Sequence, residues 1–295
     1  MPRPSPTSIT YDVIGDVHGY YDKLVQLLEV LGYTKEQGVW QQPGHKAVFV
    51  GDLIDKGPEP AEVLELVKAM VNNNVAMMVI GNHELNWIQA AAPYLRDLER
   101  FIGVTNRHGC RRKITAAYRY QPDRVADLLE WLSEQPLYIE HEDIRVVHAC
   151  WHKESIELLK RSGINNMSRR AILSYRELYS DRYLAIDRIV SGCLHEFPEH
   201  RQHKRYRSVR KRRQWWPGDT VKIHPKEGVL PKVHQASACM DGPPIFFGHY
   251  ALTGTPTIAG ENIVCVDFSV AYDGPLVAYR YVPGQPIDNQ HFIMV

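Results

Sequence analysis

The sequence predicts an α/β fold, and three observations carry the prediction. Short β-rich apolar runs alternate with segments of helical period. Each of the first three runs ends in glycine and a polar cluster. The order β-α-β-α-β calls for parallel strands joined by helical crossovers. The first run, "ITYDVIG", is rich in β-branched and aromatic residues and reads as a strand. Leu24, Leu27, Leu28 and Leu31 then recur at i, i+3, i+4 and i+7, with Asp22 near the helix start. "KAVFVGD" is a second buried strand, and Val63, Leu66, Val67 and Met70 repeat the helical spacing. "VAMMVIGN" is the third strand. A helix is expected around Val125, Leu128, Leu129 and Leu132, followed by buried strands at "IRVVHA" and "IFFGH". "NIVCVDF" and "LVAYRYV" read as a closing pair. The stretch from about Trp151 to Gly242 is the least regular, and strand signals resume after it, so it reads as an insertion or cap.

The 295 residues are 44% hydrophobic and 23% charged, which is ordinary for a globular protein and enough to bury a sizeable core. A net charge of +1 gives no whole-protein field directed at nucleic acid or membrane. No apolar run reaches the length of a membrane span, and "MPRPSPTSITYD" lacks the apolar core of a signal peptide. Five scattered cysteines, never spaced CxxC, argue against a disulfide framework or a thiolate zinc site. The expectation is a reduced, cytoplasmic protein: residues 1–8 a flexible tail, 9–295 one domain with the irregular insertion at about 151–242.

Chemistry-bearing residues stand at the strand ends. Asp16 and His18 follow the first strand, Asp52 and Asp55 follow the second in "GDLIDKGP", and Asn82 and His83 follow the third in "GNHE". His148 and His249 close two later runs, "VVHA" and "FFGHY". Ligands of open α/β sheets bind outside the carboxyl ends of the strands, so these residues are expected to converge. Mixed carboxylates and imidazoles suit manganese, iron or zinc better than calcium. A carboxylate on the central strand can bridge two ions roughly 3.5–4 Å apart that activate water and clamp a phosphoryl group. Any one of these histidines alone would more often be a core or surface residue, and Asp55 in "DKGP" alone is as good a turn residue.

GDxHG, GDxxDxG, GNHE, HA and GH, in this order from Gly15 to His249, resemble the calcineurin-like metallophosphoesterase superfamily. Within it the chain is more closely similar to the phosphoprotein phosphatase branch and the bacterial symmetrical diadenosine tetraphosphatases, the latter through "LEWLSEQPLYI", "FFGHYAL" and "VCVDFSVAYDGPLVAYRY". The resemblance implies two mixed β-sheets flanked by helices and two divalent ions, manganese first among Mn, Fe, Zn and Mg. It implies Asp16 and His18 on the first metal, Asp52 bridging, and Asn82, His148 and His249 on the second. His83 would be the general acid, with Asp55 orienting its ring. The implied reaction is in-line attack of a metal-bridging hydroxide on phosphomonoesters, in small molecules or phosphoproteins. The alternative is hydrolysis of dinucleoside polyphosphates such as diadenosine tetraphosphate.

Two departures stand out. Lys56 occupies a usual arginine position, offering a point charge to phosphate where arginine offers a planar fork. Cys150 replaces a usual glycine after "HA", either crowding the site or filling space as a small buried hydrophobe. Arg107, Arg111 and Arg112 are further candidates for phosphate contact. "HRQHKRYRSVRKRRQWW" carries eight Lys or Arg between Arg201 and Arg213, followed by Trp215 and Trp216. That segment is either a solvated part of the insertion or an anion-attracting wall with an aromatic surface for a nucleobase or peptide. A function from another class, nucleic-acid binding through residues 201–213, rests on it, and the intact ligand set argues against that reading.

Overall fold

The computed structural model describes residues 9–105, 112–168, 171–172, 180–195, 211–217, 221–227 and 241–295. The tail expected over 1–8 lies outside them. Strand β1 (Thr10–Ile14) is followed by helix α1 (Tyr21–Leu31), whose buried stripe is the predicted Leu24, Leu27, Leu28 and Leu31. A short hairpin, β2 (Thr34–Glu36) and β3 (Val39–Gln41), leads to β4 (His45–Phe49). Next come α2 (Pro60–Asn72), with proline in its first turn, β5 (Ala76–Met78) and α3 (Asn82–Ala91). Helices α4 (Leu98–Thr105), α5 (Arg112–Ala117) and α6 (Pro122–Glu134) precede β6 (Tyr138–Glu140) and β7 (Arg145–Val147).

In the irregular segment the described residues include α7 (Lys153–Arg161), the helix Asp181–Ser191, and a two-residue pairing of β8 (Leu194–His195) with β9 (Lys211–Arg212). Strands β10 (Ile245–Phe247), β11 (Ile263–Cys265), β12 (Val277–Tyr281) and β13 (Phe292–Met294) complete the chain.

The strands form two mixed sheets. One has the order β13–β12–β1–β4–β5, with β1, β4 and β5 parallel as the β-α-β-α-β pattern requires. The other has the order β11–β10–β7–β6. The two runs expected to close the fold as a pair therefore separate: β11 lies parallel to β10 in the second sheet, while β12 pairs antiparallel with β1 in the first. Both are short, apolar and buried, so local pattern does not distinguish their partners.

Alternation along the strands explains the layering. Tyr11 and Val13 of β1, Val48, and Tyr279 of β12 form one core cluster with Val146, Phe246 and Val264 of the other sheet. Ile14, Ala47, Phe49 and Met78 face the opposite way and join the leucines of α1 and the apolar stripe of α2. The result is a sandwich of two sheets with helices outside. Asp12, fully buried on β1, accepts from Arg280 Nε at 2.7 Å and pairs with His45 Nδ1 at 2.9 Å, which ties the neighbouring strands on either side. No helix among the described residues is long and apolar enough to cross a membrane.

Candidate metal centre

The carboxyl ends of β1, β4, β5, β7 and β10 deliver the polar residues to one place. Several of these residues take left-handed backbone: His18 (φ 49°), Asp52 (φ 51°), Asp55 (φ 70°), Lys56 (φ 57°) and His249 (φ 76°). Non-glycine residues there are uncommon and cost on the order of 1–3 kcal/mol each, a strain that gathers at functional sites. The glycines beside them admit no side chain. A Cβ on Gly248 would stand 2.0 Å from Asp16 Oδ1, and one on Gly81 2.2 Å from Asp52 Oδ1.

Asp52 is the hub. Its Oδ2 lies 3.7 Å from His18 Nε2 and 3.8 Å from His83 Nε2, and its Oδ1 lies 3.4 Å from His148 Nε2. Two groups of potential ligands share it: His18, Asp52 and His83, and Asp52, His148 and His249, with the ligand atoms of each group within 4.8 Å of one another. His18 Nδ1 donates to the Ile54 carbonyl at 3.1 Å and His148 Nδ1 to the Val50 carbonyl at 2.7 Å. Each bond fixes the tautomer and leaves Nε2, the atom near Asp52, as a lone-pair donor. Asn82 Oδ1 stands 3.3 Å from His148 Nε2. Asp16 accepts from the His249 backbone N–H through both oxygens, at 3.2 and 3.1 Å.

The electrostatics fit bound cations. Asp16, Asp52 and Asp267 are all buried, and burial, then Asp267 and Asp52, hold the Asp16 pKa well above the usual carboxylate range. Such crowding of buried carboxylates is costly without positive charge beside it. Burial lowers the His18 pKa to about 3, keeping the ring in the neutral form that binds metal. His83 differs. Burial opposes its charge, but Asp52 and the hydrogen bond and charge of Asp55 outweigh it and raise its pKa. Asp55 Oδ2 lies 2.6 Å from His83 Nδ1, so the His83 ring is oriented by Asp55 and turns Nε2 toward Asp52. Lys56 lines the same pocket as Asp16, His18, Asp52 and His249.

The other sequence candidates fall differently. Arg107 and Arg111 lie outside the described residues, and Arg112 is described only as the backbone start of α5. Residues 201–210 of the basic segment also lie outside them. Trp215 and Trp216, which one of the two readings of that segment made an aromatic surface, are 3% and 2% exposed. Their rings pack on Phe247, and Trp215 Nε1 donates to the Ala149 carbonyl at 2.7 Å, so both belong to the core beneath the site. Cys150 is buried with Sγ 3.1 Å from Cys193 Sγ.

Two residues were not singled out from sequence. Glu84, fully buried, accepts four backbone N–H bonds: from Asp52 and Gly81 through Oε2, and from Leu53 and Ile54 through Oε1, at 2.9–3.2 Å. Its signal was present, since a glutamate three residues into a helix, after glycine, is the capping-box position. Asp267 follows β11, as Asp16 follows β1, and accepts from Ala251 N–H at 2.5 Å and Ser269 N–H at 3.1 Å. A carboxylate closing "NIVCVDF" was the same strand-end signal used for Asp16.

The calcineurin-like phosphoesterase profile matches residues 9–251. The chain belongs to the calcineurin-like phosphoesterase family. It is accordingly a metal-dependent hydrolase, and the carboxylate–imidazole centre on Asp52 has the donor set such chemistry requires. A symmetrical bis(5'-nucleosyl)-tetraphosphatase from Marinomonas sp. is 28% identical over 282 residues, 91% of this chain and 92% of that protein. An asymmetrical bis(5'-nucleosyl)-tetraphosphatase, PrpE, from Halalkalibacterium halodurans is 49% identical over 74 residues. That match spans 25% of this chain and 30% of the relative. A protein serine/threonine phosphatase from Saccharomyces cerevisiae, with similarity to human phosphatase PP5, shares the fold at a TM-score of 0.57 and 15% identity. The likeness covers 99% of this chain and 80% of the yeast chain. The two mixed sheets flanked by helices that the family resemblance implied are the architecture observed.

Proposed function

We propose that the protein is a dinuclear metal-dependent phosphoesterase that hydrolyses dinucleoside polyphosphates. The observation that carries the hydrolytic reading is one buried carboxylate, Asp52, shared by two carboxylate–imidazole groups in a pocket that also holds Lys56. The substrate reading is supported by the tetraphosphatase relatives, one of them matched over nearly its whole length. Asp16 and His18 would hold one ion, Asn82, His148 and His249 the other, and Asp52 both, with manganese the first choice for this donor set. Bound there, a pair of divalent ions supplies an activated water and charge neutralisation for in-line displacement at phosphorus.

The side chains do the rest. Lys56 places a positive charge on the phosphoryl oxygens. His83, held by Asp55, would deliver a proton from Nε2 to the departing oxygen. Glu84 holds the loop of Asp52 rigid, so its carboxylate need not reorganise during the reaction.

A second reading, phosphomonoester or phosphoprotein hydrolysis, is favoured by the His83–Asp55 pair, because a proton donor matters most for an alkoxide leaving group. Residues 9–295 would form one domain, since β7 and β10, on either side of the insertion, pair directly.

The test is a substrate panel on chelator-stripped protein reloaded with Mn, Fe, Zn or Mg. A dinucleoside tetraphosphate should be cleaved with the highest kcat/KM, above phosphoserine and nitrophenyl phosphate. Higher kcat/KM on phosphoserine or a phosphopeptide would replace the first reading by the second. Activity unaffected by stripping would overturn both.

A further inference from the structure

The irregular segment contributes to the rim of the metal pocket. Residues 222–224 run beside the loop after His249: His224 N–H donates to the Ala251 carbonyl at 2.9 Å, Thr253 N–H to the Lys222 carbonyl at 3.0 Å, and Ile223 bridges Leu252. This mooring lays the His224 ring parallel on Tyr272, with centroids 4.2 Å apart and planes 4° from coplanar. Tyr272 itself lines the pocket together with Lys56. Lys56 Nζ stands 4.9 Å and Lys226 Nζ 5.6 Å from the centroid of the same Tyr272 ring. His224 Nδ1 accepts from the Lys226 backbone N–H at 3.3 Å, which leaves a proton on Nε2. His224 and Tyr272 are half-exposed and Lys226 is exposed.

We propose that His224, Tyr272 and Lys226 form a subsite for the leaving nucleotide: Lys226 takes the phosphate chain beyond the reacting phosphorus, and the His224–Tyr272 stack takes the base. Two ammonium groups gathered at one ring concentrate positive charge at the rim of the pocket, which favours an anion there. The outer face of the His224 ring, backed by Tyr272, would be the π-surface that accepts any base. A phosphopeptide would use the cations and leave the rings idle. The proposal rests on the phosphoesterase reading, because the subsite has meaning only beside a site that grips phosphate.

The experiment measures equilibrium binding of a ribose-labelled fluorescent β,γ-methylene analogue of ATP to manganese-loaded protein by anisotropy, with inorganic tripolyphosphate and orthophosphate as competitors. Lys226→Ala should lower the affinity for the analogue relative to orthophosphate about tenfold, and for tripolyphosphate similarly. His224→Ala should lower the relative affinity for the analogue about tenfold while tripolyphosphate and orthophosphate keep their wild-type ratio. Wild-type affinity ratios in both variants would overturn the subsite, as would a wild-type protein that binds the analogue no better than orthophosphate. If the variants behave as expected but the wild type fails to cleave a dinucleoside tetraphosphate, the subsite stands and the substrate reading falls.

Discussion

His83 and Asp52 sit 3.8 Å apart at their nearest ring nitrogen and carboxylate oxygen, so geometry alone allows His83 as ligand or as acid. His83 Nδ1 donates to the Asp55 carboxylate, and Asp52 and Asp55 together raise the ring pKa, which supports the proposed acid role. General acid catalysis contributes about 10²–10⁴-fold where the leaving group is poor. His83→Asn is therefore expected to cost far more on phosphoserine than on nitrophenyl phosphate, with Asp55→Asn following the same pattern more mildly. Equal losses on both substrates, or a lost metal, would remove His83 from that role. Gly248 supplies a second residue-scale test. A methyl group there would stand 2.0 Å from Asp16 Oδ1 and 2.8 Å from Val50 Cγ2, so the Asp16 carboxylate must move. Gly248→Ala should reduce bound metal in elemental analysis while far-UV circular dichroism stays native, and full occupancy would show that Asp16 is no ligand.

At the scale of elements, α3 acts as a clamp. Its Glu84 gathers the N–H groups of Gly81, Asp52, Leu53 and Ile54, so the end of one strand loop is fastened to the start of the next helix. Glu84→Gln puts an NH₂ group against backbone N–H donors. Leaving buried polar groups unsatisfied costs about 1–3 kcal/mol. The variant should unfold at lower denaturant concentration and bind metal more weakly, and wild-type values for both would contradict the clamp. The buried pair Trp215 and Trp216 gives the insertion its anchor in the core. Trp215→Ala should cost about 3–5 kcal/mol and lower Tm by roughly 10 °C. An unchanged Tm with a raised KM for nucleotides would restore the aromatic-surface reading. The helices α1, α2 and α6 were legible because each buries a stripe that repeats every three or four residues. The β2–β3 hairpin was not, because its first strand is fully exposed and carries no apolar pattern.

In the whole molecule, two sheets packed face to face bring His148, at the end of β7, within 3.4 Å of Asp52, at the end of β4. Metal binding should therefore report on the assembled sandwich: a ligand at a hundredfold over its Kd stabilises by about 2.7 kcal/mol. Manganese should raise the Tm of stripped wild-type protein, and Asp52→Asn should lose most of that increment, since both groups share this carboxylate. An Asp52→Asn protein with two bound ions and the wild-type increment would sink the bridging assignment.

What the sequence determined by itself was local: the strand–helix alternation, the glycines that free the strand ends, and the residue types placed there. Asp16, His18, Asp52, Asp55, Asn82, His83, His148 and His249 could be named because each follows an apolar run, and a run's end is visible in one dimension. Tertiary structure alone decided that β11 and β12 belong to different sheets, that Trp215 is core rather than surface, that Glu84 binds four backbone groups, and that His224 stacks on Tyr272. Each of those depends on partners distant in the chain. Burial and pairing are summed over neighbours in space, and residues as far apart as His224 and Tyr272 leave no periodic trace of one another in sequence.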